Sequence, residues 1–128
     1  MNPLSPQAID SLEQQLGFPL PPFYRQLLSR FGPGRRDDLE LYHPQDIAAL
    51  YAHHFEAPDQ LFRMYFPFGC NHHTQEIWLI RMDDLKVASL WHEAHPDDYA
   101  DESWVGGERW LRQVEPVLSP PIQALVEP

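Results

Sequence analysis

Five of the six residues in the run Ile77-Trp78-Leu79-Ile80-Arg81-Met82 are apolar, and this run limits the fold more than any other stretch. Side chains alternate between the faces of a strand, so Ile77 and Leu79 fall on one side and Trp78, Ile80 and Met82 on the other. A strand with apolar residues on both sides has to be covered on both, which predicts a place in the middle of a sheet. The residues before it complete a hairpin. Met64, Phe66 and Phe68 alternate with Tyr65 and Pro67, the period of a half-buried strand. Gly69 and Asn71 supply turn residues between the two.

Helical periodicity flanks this hairpin. Ser5-Pro6 opens a helix whose stripe is Ile9, Leu12 and Leu16 and which Gly17 ends. The second helix has the clearest pattern in the chain, with Leu20, Phe23, Tyr24, Leu27, Leu28 and Phe31 on one stripe. Gly32-Pro33-Gly34 stops it. Arg35-Arg36-Asp37-Asp38 reads as a charged, self-neutralised turn before a short strand from Leu39 to Tyr42. Pro44 starts a third helix with Ile47, Leu50 and Tyr51 inward, and a loop follows from Phe55 to Gln60. A further strand runs from Lys86 to Glu93, placing Val87, Ser89 and Trp91 on one face and Ala88, Leu90 and His92 on the other. Trp110, Leu111 and Val114 mark a helix from about Glu108, after a Gly106-Gly107 loop, because two glycines inside a helix would cost about 1 kcal/mol each. Ser119-Pro120-Pro121 leads into a last short turn with Ile122, Leu125 and Val126. These elements predict a small α+β domain, a single one over residues 1–128.

Composition limits the setting. At 128 residues with 43% hydrophobic side chains the chain can fill one core without disulfides or metal. One cysteine, Cys70, cannot form an internal bridge, which suits a reducing compartment. The start, Met1-Asn2-Pro3-Leu4, lacks the basic region and apolar run of a signal peptide, and no stretch approaches the ~18 apolar residues of a membrane span. A cytoplasmic location is expected. The net charge is −10, with eleven acidic and four basic side chains in residues 65–128. Such a surface repels nucleic acid and attracts a basic partner. From Glu93 to Glu102 the chain carries Glu93, Asp97, Asp98, Asp101 and Glu102 and no Lys or Arg.

Catalytic and metal signatures are weak. His53-His54, His72-His73, His92, His95 and Cys70 could supply metal ligands, but His92 and His95 are three apart and Pro96 breaks a helix there. A structural zinc site calls for several closely paired cysteines. A nucleophilic Cys70 would need His72 or His73 in hydrogen-bond reach and oriented by a third group, which adjacent turn residues rarely manage. No nucleophile elbow and no phosphate-binding loop occur. The expectation is a protein with no catalytic residues, no cofactor and no metal. Of the tryptophans, Trp78, Trp91 and Trp110 read as core. Trp104, between the acidic loop and two glycines, is either folded back on the core or an exposed anchor for a partner.

Taken in order, these motifs resemble the SUKH superfamily, which includes yeast cell-wall-assembly regulators and many bacterial immunity proteins. The likeness rests on Ile9 to Leu16, then Leu20-Pro21-Pro22-Phe23-Tyr24 running through Leu27-Leu28 to Gly32. It continues with His43-Pro44-Gln45-Asp46-Ile47, Phe66-Pro67-Phe68-Gly69 and the strand Glu76 to Met82. Ser103-Trp104 and Trp110-Leu111 match loosely, so it spans residues 6 to 114. The turn Asn71-His72-His73-Thr74-Gln75 departs from the glycine-rich turn usual in the family. Phe31 stands where asparagine is frequent, and Gly106-Gly107 lengthens the last segment.

The resemblance implies an α+β fold, a mostly antiparallel sheet with helices packed on one face, in a domain that binds other proteins and has no established catalytic residues. In bacteria it most often implies neutralisation of a cognate secreted toxin, commonly a nuclease. A nuclease holds phosphates on a basic surface, which an acidic protein can occupy as a mimic. The expected contacts are Asp83, Asp84, Glu93, Asp97, Asp98, Asp101 and Glu102, with Trp104 as a candidate anchor. The alternative is a regulatory or scaffolding module without a toxin partner.

Overall fold

A computed structural model describes residues 2–17, 19–47, 49, 64–94, 98–99 and 103–118, the last four by backbone alone. Helix α1 (Pro6–Leu16) begins where the sequence places it. The Ser5 hydroxyl accepts the Ala8 N–H at 3.1 Å, and Gly17 closes the helix in the left-handed region at φ 81°. Helix α2 (Pro22–Arg30) buries Tyr24, Leu27 and Leu28. Glu13 of α1 joins the two: its carboxylate accepts the Leu20 N–H at 2.6 Å and pairs with Arg25 of α2.

Five strands form one antiparallel meander in the order β1-β2-β3-β4-β5. They are β1 (Gly34–Arg36), β2 (Leu39–Leu41), β3 (Tyr65–Asn71), β4 (Glu76–Arg81) and β5 (Val87–Trp91). The expected charged turn at 35–38 is tighter than its composition suggests. Arg35 and Arg36 belong to β1, and the chain reverses over Asp37 and Asp38 alone, with Asp37 at φ 52°. β4 is paired on both sides and Ile77, Trp78, Leu79 and Ile80 are all buried, as two-faced apolarity requires. The middle place, however, belongs to β3, one strand away.

β3 also corrects the half-buried expectation: Tyr65 through Gly69 are all buried, and Met64, ahead of the strand, is exposed. Gly69 and Asn71 are strand residues, and the reversal falls on residues 72–75. There the Asn71 side-chain oxygen accepts the N–H groups of His73 and Thr74, and Gln75 takes the positive φ of 59°. Trp91, expected in the core, is 47% exposed. It ends the outermost strand, two residues beyond Ser89, where Trp110 of the last helix makes its contact.

That helix, α3 (Gly107–Leu118), starts one residue before the predicted position. It packs with α2 on one face of the sheet through an aromatic cluster. Trp110 lies 4.8 Å from Trp78, 5.1 Å from Phe68 and 5.9 Å from Phe23 between ring centroids. Residues 44–47 are helical, with Ile47 fully buried. The inward positions Leu50 and Tyr51, the 55–60 loop and the final turn lie outside the described residues. The molecule is thus an α+β fold in one small domain, and among the described residues no helix is long and apolar enough to cross a membrane.

Candidate functional site

A one-residue irregularity in β3 decides which residues meet on the face away from α2 and α3. Pro67 pairs with Leu79, but Gly69 pairs with Trp78, so Phe68 is the extra residue of a β-bulge. Up to the bulge, even-numbered residues of β3 face the helices, as the Tyr24–Phe66 and Phe23–Phe68 ring contacts record. After it the parity inverts, and Cys70 turns to the opposite face with Ile77, its partner on β4. Glu40 of β2 stands directly across from Cys70 on the other side.

Gly69 permits this approach. A Cβ there would lie 2.4 Å from the Glu40 carbonyl oxygen and 2.5 Å from a Trp78 ring carbon. His72 follows in the turn, held by its N–H bond to the Asp38 carbonyl at 2.7 Å. Its ring Nε2 lies 2.7 Å from Glu40 Oε1 and 3.5 Å from Cys70 Sγ, and the thiol is 4.0 Å from the same carboxylate.

These three groups line a cleft of about 520 Å³ whose walls include Tyr42, Ile77 and Asp46, the last from the helical turn at 44–47. His92, one residue past β5, closes the far side, its Nδ1 3.0 Å from the Gln75 carbonyl. Glu76 brings a third carboxylate, and among the described residues no Lys or Arg lines the cleft. Burial pushes the Cys70 thiol above its ordinary pKa, and Glu40 adds to the rise; the neighbouring Tyr42 hydroxyl and Arg35 work the other way. Burial likewise raises the Tyr42 phenol.

The expectation that adjacent turn residues do not bring a base within reach of Cys70 is therefore corrected. Three residues that look unrelated in sequence converge because a cross-strand pair and a bulge bring them together. The convergence does not build a nucleophilic relay. In such a relay the thiol and the carboxylate engage opposite nitrogens of the imidazole. Here both meet Nε2, and the thiol is held toward its neutral form. A hydrogen-bonded cluster or a shared cation fits donors converging on one point. Glu40 escaped the sequence reading because its only signal is strand register.

The acidic positions are dispersed. Asp83 and Asp84 form the β4–β5 turn, and Arg81 holds Asp84 by two bonds of 3.0 and 2.6 Å. That guanidinium lowers the Asp84 carboxyl to about 2. Asp98 belongs to the same end of the sheet, since its neighbour Tyr99 packs edge-on against Tyr65, the partner of Arg81. Glu93 lies past the other end of β5, near the cleft. Asp97, Asp101 and Glu102 lie outside the described residues.

Trp104 is folded back and half-buried. It stacks on Tyr65 at 5.7 Å under the Arg81 guanidinium, and its ring N–H donates to the Tyr99 carbonyl at 2.8 Å. No family model matches this chain, and a search of curated proteins finds no match either.

Proposed function

We propose that this chain is a protein-binding domain that captures a basic partner, and that the partner is a cognate secreted toxin which it neutralises in the cytoplasm. The observation that carries the reading is the exposed acidic end of the sheet. Asp83 and Asp98 are exposed there, beside the Arg81–Asp84 pair. Tyr65, Tyr99 and Trp104 interlock beneath them, so the charges sit on a rigid base. Rigidity matters because affinity is lost wherever a surface has to be ordered on binding. The net charge of −10 adds long-range attraction for a basic protein and repels nucleic acid. The resemblance to the SUKH superfamily supplies the toxin as the class of partner.

The test is co-expression with the product of the neighbouring reading frame, followed by a growth-rescue assay and co-purification. Rescue together with a stoichiometric complex supports the reading. A neighbour that is neither toxic nor retained by this chain points instead to a regulatory or scaffolding module.

A further inference from the structure

We propose that Glu40, Cys70 and His72 form a binding site for one divalent transition-metal ion of the zinc class, with the cleft supplying water or a small ligand at the open coordination position. The proposal is independent of the toxin reading. It rests on the convergence of three different donor types, a carboxylate oxygen, a thiol sulfur and an imidazole nitrogen. Among the described residues these are the one such group, their donor atoms all within 4.8 Å of one another.

The spacing fits a tetrahedral ion. Zinc bonds of about 2.3 Å to sulfur and about 2.0–2.2 Å to nitrogen and oxygen set donor–donor separations of about 3.3–3.6 Å. The sulfur–nitrogen distance is 3.5 Å, the sulfur–oxygen distance 4.0 Å and the nitrogen–oxygen distance 2.7 Å. A shift of the Glu40 carboxylate oxygen by about 1 Å, within reach of a side-chain rotation, brings the two outlying distances into that range. Two donors aimed at one imidazole nitrogen suit a shared cation, which removes the competition for that nitrogen.

The supports are rigid and the local charge is favourable. Glu40 and Cys70 are a cross-strand pair, and backbone bonding holds His72 to Asp38. Tyr42 shares the cleft wall with Cys70, in the place of an outer group to a thiolate ligand. Asp46 and Glu76 add negative charge along the cleft. Arg35 stands opposite Glu40 on β1, but its Nε donates to the Asp37 carbonyl at 2.9 Å and its Nη2 lies 3.9 Å from Asp38.

A mixed sulfur, nitrogen and oxygen donor set selects zinc and its neighbours over magnesium or calcium, which take oxygen cages. Three protein ligands with a fourth position open to a cleft is the arrangement of a reactive or exchangeable site rather than a closed structural one. Binding converts the Cys70 thiol to a thiolate and releases its proton to solvent.

Titration of the full, chelator-treated chain with Zn²⁺ and with Co²⁺ tests this. One ion per chain is expected, with proton release, and the cobalt form should carry thiolate-to-metal charge-transfer absorption that disappears in Cys70→Ser. His72→Ala and Glu40→Gln should each weaken binding at least about tenfold, while a change at the exposed Glu108 of α3, Glu108→Gln, leaves it unchanged. Thermal melts identify any variant that fails to fold. For that case the native chain is its own control: Cys70 is the one cysteine, so zinc should protect it from alkylation. Substoichiometric binding, a cobalt spectrum without the thiolate band, affinity indifferent to all three substitutions, or alkylation unaffected by zinc would each overturn the proposal.

Discussion

Gly69 and Asp84 place opposite demands on a single side chain. At Gly69 the requirement is the absence of one, since a Cβ would overlap the Glu40 carbonyl and the Trp78 ring. The carbonyl is backbone and cannot rotate away, so relief requires β2 and β3 to separate. Gly69→Ala should therefore cost toward the upper end of the about 1–3 kcal/mol typical of overpacking, measured by urea unfolding, with disturbance spreading to Glu40 and the cleft. At Asp84 the requirement is a charge. Arg81 holds the folded-state carboxyl at about 2, against about 3.9 in an unfolded chain. A depressed pKa gives stability that is complete above the unfolded value and lost as pH falls toward the folded one. Asp84→Asn should thus flatten the decline in melting temperature between about pH 4 and pH 2, with little change in slope above that window. The pair is partly exposed, so screening keeps the effect small.

Among the elements, α1 and α2 share a buried apolar cluster and are also tied together by Glu13. One carboxylate oxygen takes the Leu20 N–H from the connecting segment and the other meets Arg25, which also reaches Asp10 at 3.0 Å. Leu20 is buried, so removing Glu13 leaves its N–H without that acceptor. Glu13→Ala should destabilise by about 1–3 kcal/mol, whereas Arg25→Ala, which removes only the partly exposed ion pair, should cost less. Equilibrium unfolding of both variants distinguishes a hydrogen-bonding role from an electrostatic one. The strands follow a different logic. β4 needs no cap or ion pair, because burial on both faces fixes it, and a register slip of one residue would exchange Trp78 and Ile80 with Ile77 and Leu79. β3 cannot be read this way, since its bulge changes the parity midway.

For the molecule as a whole, charge and shape are the quantities a partner meets. A net charge of −10 on 128 residues acts over a Debye length of about 8 Å at physiological salt, so it governs encounter more than residence. Replacing Asp83 and Asp98 together by lysine changes that charge by four and should slow association with a basic toxin and flatten its salt dependence. Stopped-flow association at several ionic strengths measures both. Rates unchanged by the double reversal would place the interface away from this end of the sheet. The acidic segment 93–102, continuous in sequence, divides between two ends of β5 where it is described: Glu93 beside the cleft and Asp98 beside Tyr65.

Sequence alone determined what depends on local periodicity and capping: α1 with its Ser5 cap, the α2 stripe, the two-faced burial of Ile77 to Ile80 and the α+β class. Each follows from side-chain spacing along one element, which needs no knowledge of any other. Only tertiary structure decided what depends on how elements meet. It left Trp91 at an outer strand's exposed end, seated Trp104 on Tyr65, and used the Phe68 bulge to turn Cys70 toward Glu40 and His72. A bulge is a property of two strands in register, so a cluster built upon one leaves no spacing for a sequence to display.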